Sequence, residues 1–246
     1  GASRNSAIGT SATSTTTRGI DAQADLSSPH ADVDGVVRAI PRRNIDNAGP
    51  AGSINSNVLD MAQWVRLHLD NGTVDNKVLV SRRLMQEMHA PQTIIRLDSA
   101  SRALNPDTHF SAYGLGWFLQ DYRGREVWHH GGNIDGYSAL VAMLPEEKFG
   151  IVILTNMNGT GLPQALMRKI FDLQTRAPER DWSADMRKRT EEAMARAKTA
   201  RERAESQRVK DTKPSLALAE YAGTYVDSLH GDVVIREEKG ALQLVF

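Results

Sequence analysis

The stretch Val-Trp-His-His-Gly-Gly-Asn-Ile at 127–134 holds the residues of greatest chemical interest in this 246-residue chain. His130 is followed at once by Gly131 and Gly132, on an expected strand beside an expected sheet edge. Glycine weakens a strand but lets a ligand or a second backbone come close. A substrate lying along such an edge would accept a backbone N–H from it. A plain β-bulge is the alternative that the two glycines leave open. His129 and His130 are adjacent on a strand, so their side chains point to opposite faces. Without a local bulge they cannot share one cleft or one metal ion.

Other chemistries are thin. The absence of cysteine excludes disulfides, thiolate metal sites and cysteine nucleophiles. The seven histidines form no His-Glu-x-x-His arrangement and meet no matching acidic cluster, so no metal and no cofactor is expected.

The elements that must position the strand follow from periodicity. Ser56 or Asn57 is placed to cap a helix whose Val58, Met61, Ala62, Val65 and Leu69 share one face, and Asn71-Gly72 supplies a left-handed stop. A shorter helix follows, capped by Ser81, striped by Leu84, Met85 and Met88, and ended by Pro91. From residue 113 the period turns to that of strands: 113–120, 125–134, 138–144 and 149–156, the last two joined as a hairpin across 145–148. The continuous apolar run at 149–154 predicts a strand covered on both faces, with a helix at 162–173 as one cover. Successive hairpins make the sheet antiparallel and packed by helices, an α/β arrangement of the α+β type.

Four segments are expected. Residues 1–44 form a loop-rich or disordered lead, nearly all Ser and Thr at 10–17 and without helical or strand period up to Pro50. Residues 45–178 carry the main sheet domain. Residues 179–213 form a charged linker helix, and 214–246 begin a second β-unit, with a turn at His230-Gly231, that the chain leaves partial. Between Ser183 and Lys213 ten basic residues stand against six acidic ones. A nucleic-acid or membrane-surface helix would have that excess, but this one lacks aromatic residues for stacking or anchoring. It reads as a solvated helix with pairs such as Lys198–Glu202 and Arg201–Glu205. The chain's balanced charge, 30 basic and 30 acidic residues, gives no reason to expect a nucleic-acid partner. No apolar run is long enough to cross a bilayer.

The strand–hairpin–helix run resembles the third-motif region of the β-lactamase-related serine hydrolases, which include penicillin-binding proteins, class C β-lactamases, D-aminopeptidases and some esterases. That motif is Lys-Thr-Gly or His-x-Gly, and counting back from Asp135-Gly136-Tyr137 places His130-Gly131-Gly132 on it. Pro50, Ala51 and Gly52 before Asp60-Met61-Ala62-x-Trp64, and Tyr113-Gly114-x-Gly116-Trp117, match recurrent family patterns. The likeness covers residues 45–175. It implies a DD-peptidase/β-lactamase-like fold, incomplete here, and acyl transfer on a β-lactam, a D-amino-acid peptide or an ester. By resemblance His130 helps bind a substrate carboxylate or orients the hydroxyl network. Gly131 and Gly132 line the substrate, and the backbone N–H of Asn133 is one oxyanion donor. The resemblance also implies a periplasmic or secreted bacterial protein, with its signal outside this chain.

The departures are as informative. Family chemistry starts from Ser-x-x-Lys, where lysine helps deprotonate the serine. None of the eight lysines has a serine three residues before it, and no tyrosine has an asparagine two places on. Ser53-Ile54-Asn55 matches Ser-x-Asn in letters but reads as a turn entering a helix, and Ser53 lacks the flanking glycines of a nucleophile elbow. The expectation is therefore a C-terminal half that lacks the nucleophile and is inactive alone. It would pair with a missing N-terminal half or with itself to cover an open edge and apolar face. The rival is a pseudoenzyme or scaffold that keeps the groove for binding.

Overall fold

The computed structural model describes residues 13–23, 25–229 and 231–245. The start of the Ser/Thr run, His230 of the expected 230–231 turn, and Phe246 lie outside them. The described chain falls into two compact units, residues 1–191 and 192–246.

The first unit opens with a hairpin, β1 (His30–Val33) and β2 (Val36–Ala39). Residues 30–39 were expected as loop; they are strand because Asp34 and Gly35 both take the left-handed conformation that a two-residue hairpin turn requires. A single helical turn, α1 (Gly49–Gly52), leads into α2 (Val58–Leu69). Asn57 caps α2 by accepting from the amides of Leu59 and Asp60, and Gly72 follows it in the left-handed region. A short ribbon, β3 (Thr73–Val74) with β4 (Lys77–Val78), precedes α3 (Arg82–Met88), whose Ser81 cap accepts from the amide of Leu84.

The main sheet has six strands, all antiparallel. They are β5 (Thr93–Ile94), β6 (Ser111–Tyr113), β7 (Phe118–Tyr122), β8 (Arg125–Ile134), β9 (Tyr137–Leu144) and β10 (Phe149–Thr155), lying side by side in chain order. Between β5 and β6 runs α4 (Ser99–Leu104), capped by Asp98. The strand expected at 113–120 is in fact two. Gly116 has φ of +83°, and Gly114 N–H donates to the Trp117 carbonyl at 2.8 Å, so the chain reverses there. Gly114 is also a close approach: a Cβ on it would lie 2.5 Å from the Met88 carbonyl oxygen.

Helices cover the sheet on both faces, as the apolar run in β10 predicts. On one side α2 lays Val65 and Leu69 against Trp117, Leu119, Val141, Met143 and Val152. Gly150 makes this fit close, because a Cβ there would come within 2.4 Å of Val65 Cγ1. On the other side α5 (Leu162–Thr175) packs Ala165, Met167 and Phe171 on Val127, Leu140, Ala142 and Leu144. The first turns of α6 (Trp182–Gln207) add Trp182 and Met186 to that core. Asp172 is buried among them and accepts from the Tyr122 hydroxyl (2.5 Å), Trp182 Nε1 (2.6 Å) and Arg123 Nε (3.0 Å), so its charge is compensated on three sides.

The second unit holds the rest of α6, exposed and carrying pairs such as Lys198–Glu202. A 3-10 turn at Leu218–Tyr221 leads to an antiparallel sheet of β11 (Gly223–Asp227), β12 (Gly231–Glu238) and β13 (Ala241–Val245). No helix among the described residues is long and apolar enough to cross a membrane.

Candidate active site

Strand β8 is longer than its neighbour β7. The β7 pairing starts at Phe118 opposite His129, so residues 130–134 run past the end of β7 and pair with β9 alone. On the other side no strand lies beside them among the described residues. His130, Gly131, Gly132 and Asn133 thus fall on an open strand edge. In an antiparallel ladder alternate residues turn their backbone groups to the same side, so the Gly131 and Asn133 amides face one way and those of His130 and Gly132 the other. Gly132 is exposed, and a Cβ on it would meet no atom within 4 Å.

The adjacent histidines take opposite faces, as strand geometry requires. His130 is exposed, with Nε2 3.0 Å from the Tyr113 hydroxyl. His129 is half-buried on the α5 side, stacked on Phe118 at 5.3 Å. Burial, helped by the positive charge of Arg168 and by His130, pushes its pKa down to about 4, so it is neutral at physiological pH.

Asn133 is held by its side chain. Its Oδ1 accepts from the Ser138 hydroxyl and from the Gly159 amide, the latter at 3.0 Å. The corner beyond it is tied to the lead segment: His30 N–H donates to the Gly136 carbonyl (3.1 Å), and the His30 carbonyl accepts from Asn158 (2.9 Å). Gly136 has φ of +93°, and a Cβ there would sit 2.3 Å from Pro29 Cβ, so only glycine allows this crossing.

Behind β8 on the α2 side lies a buried histidine pair. His68 Nδ1 is 3.0 Å from His89 Nε2; Trp64 and Trp117 meet His68 edge-on, and His89 stacks on Trp128 at 3.6 Å. Burial pushes both histidines down to about 4, with their mutual repulsion adding to it at His89. The pair is a neutral wedge that fixes Trp128, two residues before His130.

Two clefts flank the open edge. One of about 280 Å³ lies on the α5 side and is lined by His129, Gly131, Gly132, Asn133, Gln164 and Arg168, among others. The second, of about 510 Å³, is bounded by the lead segment, the residues entering α2 and the β8–β9 corner, with Arg42 and Arg43 on its wall. Sequence reasoning missed Arg42, Arg43, Gln164 and Arg168, and gave Tyr113 no role. Tyr113, Gln164 and Arg168 reach the edge, and Arg42 and Arg43 the β8–β9 corner, through tertiary pairing that no local pattern announces.

No serine hydroxyl among the described residues is hydrogen-bonded to a lysine or histidine side chain. Ser53 is buried, its hydroxyl within reach of the Thr15 (2.7 Å) and Gly49 (3.0 Å) carbonyls, which suits a turn residue. Among the described residues no three His, Cys, Asp or Glu side chains converge as a metal site.

Comparison with known proteins adds to this geometry. The profile of the family described as Beta-lactamase matches residues 6–175. An unguisins hydrolase of Aspergillus campestris is 26% identical over 208 residues, covering 76% of this chain and 34% of its own length. Protein flp of Staphylococcus aureus is 24% identical over 115 residues, covering 47% and 20%. The chain therefore spans about a third or less of the curated relatives it matches. Among solved structures, an octameric penicillin-binding protein homologue from Pyrococcus abyssi superposes with a TM-score of 0.59 at 16% identity, covering 96% of this chain and 44% of that one.

Proposed function

The chain belongs to the beta-lactamase family, and from that premise we propose that it forms the substrate-gripping strand of a serine hydrolase that works by acyl transfer. The observation that carries this reading is the open edge of β8 at residues 130–134, beyond the end of β7. In the proposed mechanism an acyl group lies along that edge, with its carbonyl oxygen on the Asn133 amide. As the carbonyl becomes tetrahedral the oxygen gains charge. A fixed amide aimed at it is worth roughly 3–4 kcal/mol of barrier. Gly131 and Gly132 let the substrate backbone lie close. His130, held by Tyr113, orients the substrate carboxylate or the hydroxyl network. The nucleophile comes from a Ser-x-x-Lys segment, which this sequence does not contain. The acyl substrate is a β-lactam, a D-amino-acid peptide or an ester. The relatives include fungal and bacterial proteins, so the family by itself carries no bacterial origin.

A neutral acyl compound, methyl N-acetyl-D-alaninate, tests the edge directly by NMR. The reading requires shifts at the Asn133 amide and the His130 ring; their absence at saturating ester defeats it. A second reading, binding without catalysis, is favoured by the lack of any serine hydroxyl hydrogen-bonded to a base among the described residues. Stoichiometric labelling of this chain by a fluorophosphonate would exclude that second reading.

Among the described residues both rim strands of the main sheet, β5 and β10, have one unpaired side. In our reading β10 pairs with a further family segment or with a second copy, and the octameric relative is an instance of assembly in the family.

A further inference from the structure

His68 is buried on α2 with 1% of its surface exposed, and its Nε2 atom has no hydrogen-bond partner among the described residues. Nearly all buried polar atoms are paired, so this nitrogen is an exception. The hydrogen bonds of the histidine pair fix where its protons are. The His89 ring bonds the Met85 backbone in the sense that favours the protonated ring, so a ring N–H meets the Met85 carbonyl. Nε2 of His89 faces His68, which leaves Nδ1 to carry that proton. His89 Nε2 is then the acceptor, and His68 Nδ1 the donor, of the 3.0 Å bond between them. His68 Nε2 is left as a bare lone pair inside the core.

The rings around the pair are tryptophans. Trp64 and Trp117 meet His68 edge-on at 4.4 and 4.7 Å, and His89 stacks on Trp128. The charged groups on the surrounding elements are engaged elsewhere. On α2, Arg66 pairs with Asp75, and Asp70, the residue after it, with Lys148 of the β9–β10 turn. On α3, Glu87 accepts from Gln92, while Arg82 and Arg83 stand exposed at its start. On β8, Arg125 pairs with Glu147, Glu126 accepts from Trp128 Nε1, and His130 meets Tyr113. The β6–β7 turn that carries Trp117 holds no charged residue. Burial is what disfavours a charge on His68, and at His89 the one electrostatic contribution comes from His68 itself.

A proton arriving here goes to His68 Nε2, the one ring nitrogen of the pair with neither a proton nor a partner. His68 keeps its bond to His89, now charge-assisted and polarised along the relay to Met85. The new N–H has no acceptor, and a buried charge in that state is costly. Water reaches it with least disturbance past Trp64, which is 41% exposed, whereas Trp117 is 4% exposed and belongs to the core under α2. We propose that His68 and Trp64 form an acid-operated gate on the α2 face of the sheet. A proton bound at His68 Nε2 swings the Trp64 ring outward and admits water to the pair. The His68–His89 bond and the His89–Trp128 stack persist, so β8 stays anchored through this first proton. The gate makes no use of the acyl-transfer reading.

The test is an acid titration of the whole chain by NMR, with 5-fluorotryptophan and 15N-histidine labels and far-UV circular dichroism alongside. W64F identifies the Trp64 fluorine signal. That signal is expected to move with the same midpoint as the His68 Nε2 nitrogen, about 4. Over the same range it should become open to a soluble gadolinium chelate, while the Trp128 and Trp182 signals and the ellipticity hold. H68F removes the titrating nitrogen and should abolish the Trp64 movement. H68Q, polar but not titrating, gives the same reading if H68F fails to fold. Four results would each overturn the proposal: a Trp64 signal that does not follow His68, a proton that appears first on His89 Nε2, tryptophans that all move together as ellipticity is lost, or a Trp64 movement retained without His68.

Discussion

The Tyr113 hydroxyl lies 3.0 Å from Nε2 of His130, although the two residues stand on strands that are not neighbours. The link exists because β7, which separates them, ends at Phe118, and the phenol passes over that end. The residue that immediately precedes the Gly114–Trp117 turn is thereby brought to the open edge of β8.

Y113F removes this partner without changing the ring. At an exposed site the cost in stability should stay near 1 kcal/mol or below. The expected change is local: the His130 side chain loses its preferred tautomer and orientation. A 15N NMR spectrum of the imidazole reads this directly, and an unchanged tautomer balance would show that Tyr113 does not position His130.

The buried histidine pair makes stability depend on pH. His68 and His89 titrate near 4 when folded and near 6.5 when unfolded, so between those values the unfolded chain binds more protons. Stability should be at its plateau above about pH 6.5 and fall as pH drops toward 4. Urea midpoints at pH 7, 5.5 and 4.5 measure the slope (roughly the window set by these values). The double variant H68L/H89F should flatten it, with His129 accounting for part of what remains.

Two glycines separate packing from access. G150A places a methyl group 2.4 Å from Val65 Cγ1 and should cost about 1–3 kcal/mol, read as a lower denaturation midpoint. G132A meets nothing within 4 Å and should leave stability within about 0.5 kcal/mol. Its methyl group stands on the open edge, so weaker binding of the neutral acyl ester is expected from a variant that folds normally.

Asp172 is the most costly single charge to disturb. D172A leaves the Tyr122 hydroxyl, Trp182 Nε1 and Arg123 without their shared acceptor inside the core. A loss of roughly 3–5 kcal/mol is expected, measurable by urea unfolding.

Covalent labelling checks the catalytic expectation. Fluorescent penicillin or a fluorophosphonate should leave this chain unlabelled, since it holds no Ser-x-x-Lys. Mass spectrometry of the treated protein gives the answer at single-adduct resolution.

Local signals carried much of the fold. Asn57 before an apolar stripe marked the start of α2, and the arginine and isoleucine that bound β8 were those expected. The β9–β10 hairpin and its covering helix were legible because period two, a polar turn and a helical stripe follow one another without ambiguity. The β6–β7 reversal was not, because Tyr-Gly-x-Gly-Trp reads equally as a strand with glycines; only the positive φ of Gly116 decides it. Asp34-Gly35 between valines was a readable hairpin signal that the polar composition around it obscured. The open edge beside His130 rests on where β7 stops, a tertiary fact. Arg168, in the wall of the cleft on the α5 side, was hidden because it shares a helix with the core residues Ala165, Met167 and Phe171.

The crossing of Pro29 and His30 over Gly136 gives the lead segment a mechanical role. A backbone clamp at that point joins the tip of the β8–β9 hairpin to the loop after β10, so three stretches distant in sequence move as one body. Slack introduced there, by a bulkier residue at 136 or by cleavage just before Pro29, would be felt at Asn133, and the grip we propose for its amide would be only as firm as the tip beneath it.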